Sequence, residues 1–232
     1  MLSANSVLGK IARLPLRLIP QEGVVPMLTG AARGAKWIAH SGLHGFWLGT
    51  FERDIRRVFE RTVKPGDVVY DVGAHVGLYS VIASRLGAQV IAFEPLPRNL
   101  RFLHRHIAMN DLGNIRVIEA AVSSESGSTS FEEHGHAMGR IGKGPLTVRA
   151  VVIDELIAAG ELPPPRVVKM DIEGGEFDAL VGMRRVLAES RPTIFLSTHG
   201  EEVAARCAQL LTQAGYRLTY LRHNEVLAVH AI

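Results

Sequence analysis

Short apolar runs alternate with segments of helical periodicity along most of this chain of 232 residues. The runs are rich in β-branched residues and each is followed by a turn, a pattern typical of buried strands. These predicted strands cover residues 68–72, 89–94, 115–120, 166–171 and 193–197. The predicted helices that alternate with them cover residues 52–62, 77–86, 97–109, 176–187 and 201–214. Strands separated by helices of this length imply right-handed crossovers and a mainly parallel sheet.

The alternation of predicted strands and helices is interrupted in two later regions. Residues 123–151 contain a loop, a weak strand, a glycine-containing stretch and a further strand, which together predict an inserted hairpin and loop. Two apolar runs at 216–221 and 226–229 flank His223-Asn224, a pattern typical of an antiparallel hairpin. The sequence therefore predicts one α/β domain over residues 51–232, with helices on both faces of its sheet.

Residues 1–50 differ from that domain in charge, because five basic residues stand against the single acid Glu22. Apolar residues at Leu8, Ile11, Leu14 and Leu18 give the segment amphipathic character. We expect a helical segment that packs on the domain as a lid. The alternative is peripheral contact with an anionic membrane surface. A signal peptide is not expected, because charged residues and a proline interrupt any apolar stretch.

Composition narrows the functional classes. The chain is 47% hydrophobic and 21% charged, which is typical of a globular protein rather than a disordered one. Its net charge is only +3 and no arginine-rich block is present, so no nucleic-acid partner is expected. Cys207 is the single cysteine, which excludes an intramolecular disulfide and suggests a reducing cytoplasm. Its helical pattern predicts that it is a small core residue.

A cofactor site is predicted where the first strand of the domain ends. Asp71 is followed by a Gly-x-x-x-Gly turn whose glycines, Gly73 and Gly77, allow tight turning and close approach to a ligand. Glu94 ends the next strand, where a carboxylate can accept hydrogen bonds from both hydroxyls of a ribose. His75 occupies the position of the second glycine of a dinucleotide fingerprint. Asp71 would repel a pyrophosphate but suits an ammonium, which favours S-adenosyl-L-methionine over NAD.

Five motifs in order resemble the FkbM family of methyltransferases. They are Gly49-Thr50-Phe51-Glu52, the segment 71–77, Phe93-Glu94-Pro95, Ala120-Ala121-Val122, and the segment 169–176. The resemblance covers about residues 47–200 and implies a class I methyltransferase (Rossmann-like) fold with an antiparallel C-terminal hairpin. It also implies S-adenosylmethionine-dependent O-methylation of a sugar, glycolipid or polyketide-type acceptor. His75 departs from the family, which often has Asn there; both can hydrogen-bond, so we expect the cofactor site to survive.

The full set of expected cofactor contacts follows the ends of these strands. Pro95 stiffens the loop behind Glu94, and Ala121 and Val122 are expected at the end of the third strand, against an adenine ring. Asp171 is expected to touch the methionine part of the cofactor. The predicted cofactor-binding residues are Asp71, Gly73, His75, Gly77, Glu94, Pro95, Ala121, Val122 and Asp171.

Methyl transfer to an alcohol needs alignment of the reacting atoms and a route for the hydroxyl proton. Asp171 and Glu173 follow the fourth strand, and with Glu176 they can raise one another's pKa values. The alternative is that Glu173 and Glu176 stabilise a helix N-terminus. His199 follows the fifth strand and is a natural general base, or equally a solvent-exposed loop histidine. The predicted catalytic residues are therefore Asp171, Glu173 and His199.

Two further predictions concern metal and rival functions. His134 and His136 resemble a metal-binding pair but lack a third ligand in register, so no metal is expected. Their loop, with Met138 and Arg140, is expected to cover a small-molecule or glycan acceptor. The alternatives are a nicotinamide-dependent oxidoreductase and a catalytically silent methyltransferase-like binding module. The first lacks the glycine fingerprint, and the cluster of acidic residues at strand ends disfavours the second.

Overall fold

The computed structural model describes residues 18–134, 138–141 and 146–231. Its strands are β1 (Val24–Pro26), β2 (Lys36–Ile38), β3 (Val68–Val72), β4 (Gln89–Phe93), β5 (Ile115–Ile118), β6 (Ala121–Val122), β7 (Gly127–His134), β8 (Met138–Ile141), β9 (Leu146–Val151), β10 (Val167–Met170), β11 (Thr193–Ser197), β12 (Tyr216–Arg222) and β13 (Glu225–His230). Its helices are α1 (Gly45–Leu48), α2 (Arg53–Thr62), α3 (Leu78–Arg85), α4 (Pro97–Met109), α5 (Ile153–Ala158), α6 (Glu176–Val181), α7 (Arg184–Glu189) and α8 (Glu201–Gln213). The predicted alternation of strands and helices is confirmed.

The main sheet has seven strands in the order β12-β13-β11-β10-β3-β4-β5. The five strands from β11 to β5 are parallel, and β12 and β13 add the predicted antiparallel hairpin. The chain runs outward from β3 to β5 and later returns to β10, on the other side of β3. The order of strands therefore reverses between β3 and β10. In open α/β sheets a ligand binds at the carboxyl ends of the strands at such a point.

Both faces of the main sheet are covered, as predicted. Tyr70 and Val72 point into a core formed with α5, α6, α7 and α8. Val69 points the other way, into a core formed with α2, α3 and the N-terminal segment. This alternation is the period of two expected for a strand buried on both faces. Cys207 is fully buried in the first core, which confirms its predicted role.

A second sheet, in the order β6-β9-β7-β8, contains the predicted insertion over residues 123–151. It also corrects one expectation, because Ala121 and Val122 do not end the third strand of the main sheet. They form β6, which pairs with β9. The cause is a tight turn after β5, in which the Ala120 amide donates to the Ile118 carbonyl at 2.8 Å and takes the chain out of the main sheet.

The helix predicted over 176–187 is divided into α6 and α7 at Gly182. A Cβ atom on Gly182 would lie 2.2 Å from the carbonyl oxygen of Ser123, so only glycine fits this close approach. The Asp154 carboxylate accepts hydrogen bonds from the Arg185 and Val186 amides at 2.8 and 3.0 Å. These bonds satisfy free amides at the start of α7 from a distant part of the sequence.

The described part of the N-terminal segment is not the mainly helical one expected. In its described part, residues 18–50, β1 pairs antiparallel with β2 and only α1 is α-helical. Prolines and glycines break any long helix here, and Val24 and Val25 favour a strand. Leu8, Ile11 and Leu14 lie outside the described residues. No helix in the described part of the chain is long and apolar enough to cross a membrane.

The hairpin formed by β1 and β2 nevertheless packs on the α/β domain. Trp37 is fully buried and stacks on the imidazole of His106, with ring centroids 3.8 Å apart. His106 Nε2 accepts a hydrogen bond from the Ile38 amide, and its Nδ1 donates to the Val76 carbonyl. One buried side chain thus joins the hairpin, α4 and the turn before α3.

Candidate active site

A cavity of about 490 Å³ opens where β3, β4 and β10 end, at the point where the strand order reverses. Most residues predicted for the site line this cavity. They are Asp71, Gly73, His75, Glu94, Pro95, Ala121, Val122, Asp171 and Glu173. The cavity has the size of a typical small-molecule site.

The two glycines of the first turn have different roles. Gly73 has a φ of +83°, and a Cβ there would lie 2.1 Å from the carbonyl oxygen of Asp171. The turn after β3 therefore touches the turn after β10 through the backbone. Gly77 has a φ of +95° and packs against Leu103 on α4, where a Cβ would come within 2.6 Å. Gly77 does not line the cavity, so its observed role is helix packing.

Glu94 is held in one position by three donors. Its carboxylate accepts hydrogen bonds from the His75 amide at 2.8 Å, the Leu96 amide at 2.9 Å and the Asn99 side chain at 3.1 Å. Only 4% of Glu94 is exposed, and this burial raises its pKa to about 7 against the effect of the three donors. Sequence reasoning missed Asn99, although it lies five residues after Glu94 on the first turn of α4.

Asp71 is equally buried, with 2% of its surface exposed. Its Oδ2 accepts a hydrogen bond of 2.6 Å from the Ser80 hydroxyl on α3. Burial raises the pKa of Asp71 to about 6, while the Ser80 bond and the nearby Lys169 ammonium act in the opposite direction. The predicted ammonium-binding carboxylate is thus fixed to the helix that follows its own strand.

His75 presents a polar atom that has no hydrogen-bond partner among the described residues. This atom is Nε2, and it is fully buried. Burial lowers the pKa of His75 to about 4, so the imidazole is neutral at physiological pH. Its ring meets Phe46 edge to face, with centroids 5.9 Å apart. A buried polar atom at a cavity wall needs a partner, which a bound ligand can supply.

The N-terminal segment supplies a wall of the cavity. The sequence analysis expected this segment to pack on the domain as a lid but named none of its residues for the site. Residues 40–43 line it together with Phe46 and Phe51. Gly42 lies so close to the Phe46 ring that a Cβ would approach it to 2.7 Å. The motif at 49–52 also marked this region, without identifying the residues that face the cavity.

Lys169 lies beneath the cavity in a network that was also missed. Its Nζ donates to the Ser197 hydroxyl at 2.6 Å, and Ser197 donates to Glu225 at 2.8 Å. Asp171 Oδ2 lies 3.5 Å from the same Nζ. Burial disfavours the ammonium, but surrounding carboxylates, with Asp171 foremost, outweigh burial and raise the Lys169 pKa. No sequence pattern predicted the links from Lys169 to Ser197 and Glu225.

The three predicted catalytic residues come together in the structure, and we call Asp171, Glu173 and His199 the acidic–histidine cluster. His199 Nε2 lies 3.6 Å from Asp171 Oδ1 and 3.5 Å from Glu173 Oε2. Its Nδ1 donates a 2.7 Å hydrogen bond to Glu176 Oε1, which also accepts from the Gly174 amide at 3.0 Å. Each side chain of the cluster is about one-third exposed, whereas Glu176 is fully buried.

The structure corrects the expected chemistry of His199. Its hydrogen bond to Glu176 raises its pKa to about 9 against the opposing effect of burial, and the charges of Glu173 and Asp171 add to this. His199 is therefore protonated at neutral pH and does not titrate near 6.5 as a free imidazole would. This raised pKa disfavours His199 as a neutral general base, and a catalytic role for His199 stays a prediction. Burial also raises the pKa of Glu173.

The remaining residues singled out in the sequence lie in the inserted segment, residues 123–151. His134, Met138 and Arg140 lie on paired strands, since His134 is opposite Met138 and Glu132 is opposite Arg140. His136 lies outside the described residues. That this loop covers the acceptor stays a prediction.

Comparison with known proteins agrees with the geometry of this site. A model described as the methyltransferase FkbM domain matches residues 71–218. The hexuronic acid methyltransferase AglP of Haloferax volcanii is 32% identical over 95% of this chain and 95% of its own length. The chain belongs to the FkbM methyltransferase family.

Two further proteins are similar to this FkbM-family chain. The 2-O-methyltransferase NoeI of Sinorhizobium fredii is 24% identical, over 59% of this chain and 65% of its own. The solved structure of methyltransferase FkbM from Methylobacillus flagellatus KT matches with a TM-score of 0.54 and 21% identity, over 80% of this chain and 52% of that one. The fold is therefore that of a class I methyltransferase, as predicted. The protein is an S-adenosylmethionine-dependent methyltransferase, not a nicotinamide-dependent oxidoreductase.

Proposed function

We propose that this protein transfers a methyl group from S-adenosylmethionine to a hydroxyl of a sugar acceptor. The observation that carries the proposal is the convergence of two groups on one cavity. Asp71 and Glu94, which suit the cofactor, line it together with Asp171 and Glu173, which suit an acceptor hydroxyl. The printed names of AglP and NoeI, a hexuronic acid methyltransferase and a 2-O-methyltransferase, support a sugar hydroxyl as the acceptor.

The residues present fit S-adenosylmethionine. The buried Nε2 of His75 has no hydrogen-bond partner in the described part of the chain and so offers a polar contact at the cavity wall. We assign Glu94 to the ribose hydroxyls and Asp71 to the methionine ammonium, and we place Asp171 on the acceptor side. Pro95, Ala121 and Val122 form the apolar surface for the adenine ring. When bound, the cofactor supplies a methyl group already activated by its sulfonium.

We assign to Asp171 alone the role of general base, for which the sequence analysis considered both Asp171 and His199. Its carboxylate lines the cavity, with the Lys169 ammonium 3.5 Å from one oxygen and His199 Nε2 3.6 Å from the other. These two cations fix the orientation of the carboxylate. Asp171 can then accept a hydrogen bond from the acceptor hydroxyl and receive its proton as the methyl transfers. A group placed in this way contributes about 10²–10⁴-fold in rate.

The experiment that tests this proposal follows an isotope-labelled methyl group from the donor to a panel of acceptors. The panel contains oligosaccharides that end in hexuronic acids, neutral oligosaccharides and RNA. We expect label on a sugar hydroxyl, located by NMR as an O-methyl ether, and none on RNA. Transfer to a nitrogen or carbon atom, or to RNA alone, contradicts the proposal. Calorimetry with S-adenosylhomocysteine and with NAD verifies the cofactor independently of any acceptor.

A further inference from the structure

The acidic–histidine cluster has the spacing of a cation site. One oxygen from each of Asp171 and Glu173, together with a ring nitrogen of His199, lie within 4.8 Å of one another. The measured separations from Nε2 are 3.6 and 3.5 Å. Ligand atoms about 2.1 Å from a metal ion, at tetrahedral angles, are separated by about 3.4 Å. The two separations from Nε2 are therefore within a few tenths of an ångström of the value that an ion requires.

The orientation of the His199 ring also suits the binding of a cation. Glu176 accepts the Nδ1 proton at 2.7 Å, so Nε2 is the ring atom that faces Asp171 and Glu173. A carboxylate that accepts the far N–H of a metal-binding histidine is the usual way to fix its tautomer and ring orientation. Glu176 is itself held by the Gly174 amide at 3.0 Å.

A second, independent observation indicates that positive charge is missing. Glu176 is fully buried, and its Oε2 has no hydrogen-bond partner among the residues that the structure describes. A buried carboxylate oxygen without a donor is costly. Three carboxylates, those of Asp171, Glu173 and Glu176, surround the single imidazole of His199. The nearby Lys169 ammonium lies 3.5 Å from Asp171 Oδ2 and also donates to Ser197. A divalent cation that displaces the proton from Nε2 would offset this excess of negative charge better than that proton does.

We propose that Asp171, Glu173 and His199 bind a divalent transition-metal cation at the wall of the cavity. One imidazole with two carboxylates favours Mn²⁺, Co²⁺ or Zn²⁺ over Mg²⁺ and Ca²⁺, which prefer oxygen ligands alone. This replaces the sequence-based expectation that the protein has no metal site. Three protein ligands leave coordination positions open. If the proposed function also holds, those positions face the acceptor, where they would orient two neighbouring sugar hydroxyls.

The test measures metal binding without cofactor or acceptor. Chelator-treated protein is titrated with Mn²⁺ while the electron paramagnetic resonance signal of free Mn²⁺ is followed, and Zn²⁺ binding is measured by competition. We expect one ion per chain. The variants His199→Gln and Glu173→Gln should weaken binding by at least about tenfold, and Glu176→Gln by about 10–100-fold through loss of the orienting bond.

The control is a matched pair on the surface. His104 Nε2 lies 3.0 Å from Glu119 Oε1, and both side chains are at least half exposed. His104→Gln and Glu119→Gln should leave Mn²⁺ binding unchanged, and circular dichroism verifies that every variant is folded.

Failure of the metal site and failure of the proposed function give different results. The metal proposal is overturned if the wild-type protein binds neither Mn²⁺ nor Zn²⁺, or if the surface variants lose binding as much as the cluster variants do. Metal binding that depends on the cluster, combined with no methyl transfer to any sugar, supports the metal site and contradicts the sugar acceptor alone.

Discussion

The two sides of the cavity are built differently. On the cofactor side, Asp71 and Glu94 are 2% and 4% exposed, and hydrogen bonds of 2.6–3.1 Å hold their carboxylates to the protein. On the acceptor side, Asp171 and Glu173 are about one-third exposed and meet His199 only at 3.5–3.6 Å. The cofactor side is therefore rigid before any ligand arrives. The acceptor side keeps unused coordinating atoms, and this suits a surface that must adapt to a substrate or a cation.

The largest effect should come from the acceptor side. Asp171→Asn keeps the size of the side chain but removes its capacity to take the hydroxyl proton. We expect kcat to fall by about 10²–10⁴-fold with little loss of folding stability. Methyl-transfer kinetics and thermal denaturation measure the two quantities. If cofactor affinity falls while kcat is retained, Asp171 belongs to the cofactor side and the comparison is wrong.

Glu94→Ala should affect both binding and folding. We expect S-adenosylmethionine affinity to weaken by about 1–3 kcal/mol, because the proposed ribose acceptor is lost. Stability should fall by a similar amount, since the amides of His75 and Leu96 lose their partner in a buried place. Calorimetry and urea denaturation separate the two effects. Glu119→Ala, at an exposed carboxylate, is the control; unchanged cofactor affinity in Glu94→Ala removes this residue from the site.

Asn99→Ala tests the rigidity of the cofactor side with a smaller perturbation. It removes one of three donors to Glu94 and leaves the Glu94 carboxylate itself in place. We expect an affinity loss of about 1 kcal/mol, with kcat at saturating cofactor unchanged. A fall in kcat without a change in affinity would show that α4 influences the acceptor side, contrary to the division described above.

The smallest effect should be a dependence of cofactor affinity on pH. Burial raises the pKa of Glu94 to about 7 and that of Asp71 to about 6. Both groups become protonated as pH falls through these values and then accept hydrogen bonds less well. We expect affinity for S-adenosylhomocysteine to decrease between pH 8 and pH 5.5 by somewhat less than about 1 kcal/mol. Calorimetry at several pH values measures this decrease, and Glu94→Gln should remove its upper part.

The main sheet and its reactive edge were predictable from sequence because they rest on local patterns. Apolar runs that end in Asp71, Glu94 and Asp171 mark strands whose carboxyl ends meet at one edge. The glycines and the order of the motifs identified the kind of ligand. Most residues predicted for the site line the cavity for this reason.

The remaining features depend on contacts between distant parts of the chain. Asp154 accepts hydrogen bonds from the first amides of α7 from 31 residues away, and no local sequence pattern predicts this contact. The pKa of His199 is set by Glu176, 23 residues earlier, so the residue type alone suggested a neutral base. The N-terminal segment was expected as a helical lid because an amphipathic pattern at residues 8–18, nearly all of which lies outside the described residues, outweighed its proline and glycine breaks. No residue of the N-terminal wall was therefore predicted for the site.

The backbone contact between Gly73 and Asp171 restricts how this enzyme can diversify. Any side chain at position 73 would collide with the backbone of Asp171. The turn after β3 and the turn after β10 are therefore constrained together. New acceptor preferences therefore have to arise elsewhere on the cavity rim. Residues 40–43 and Phe46 belong to the N-terminal segment and not to either turn, and Leu43 is 60% exposed. A library that varies this rim and leaves both turns untouched is the most economical route to altered specificity.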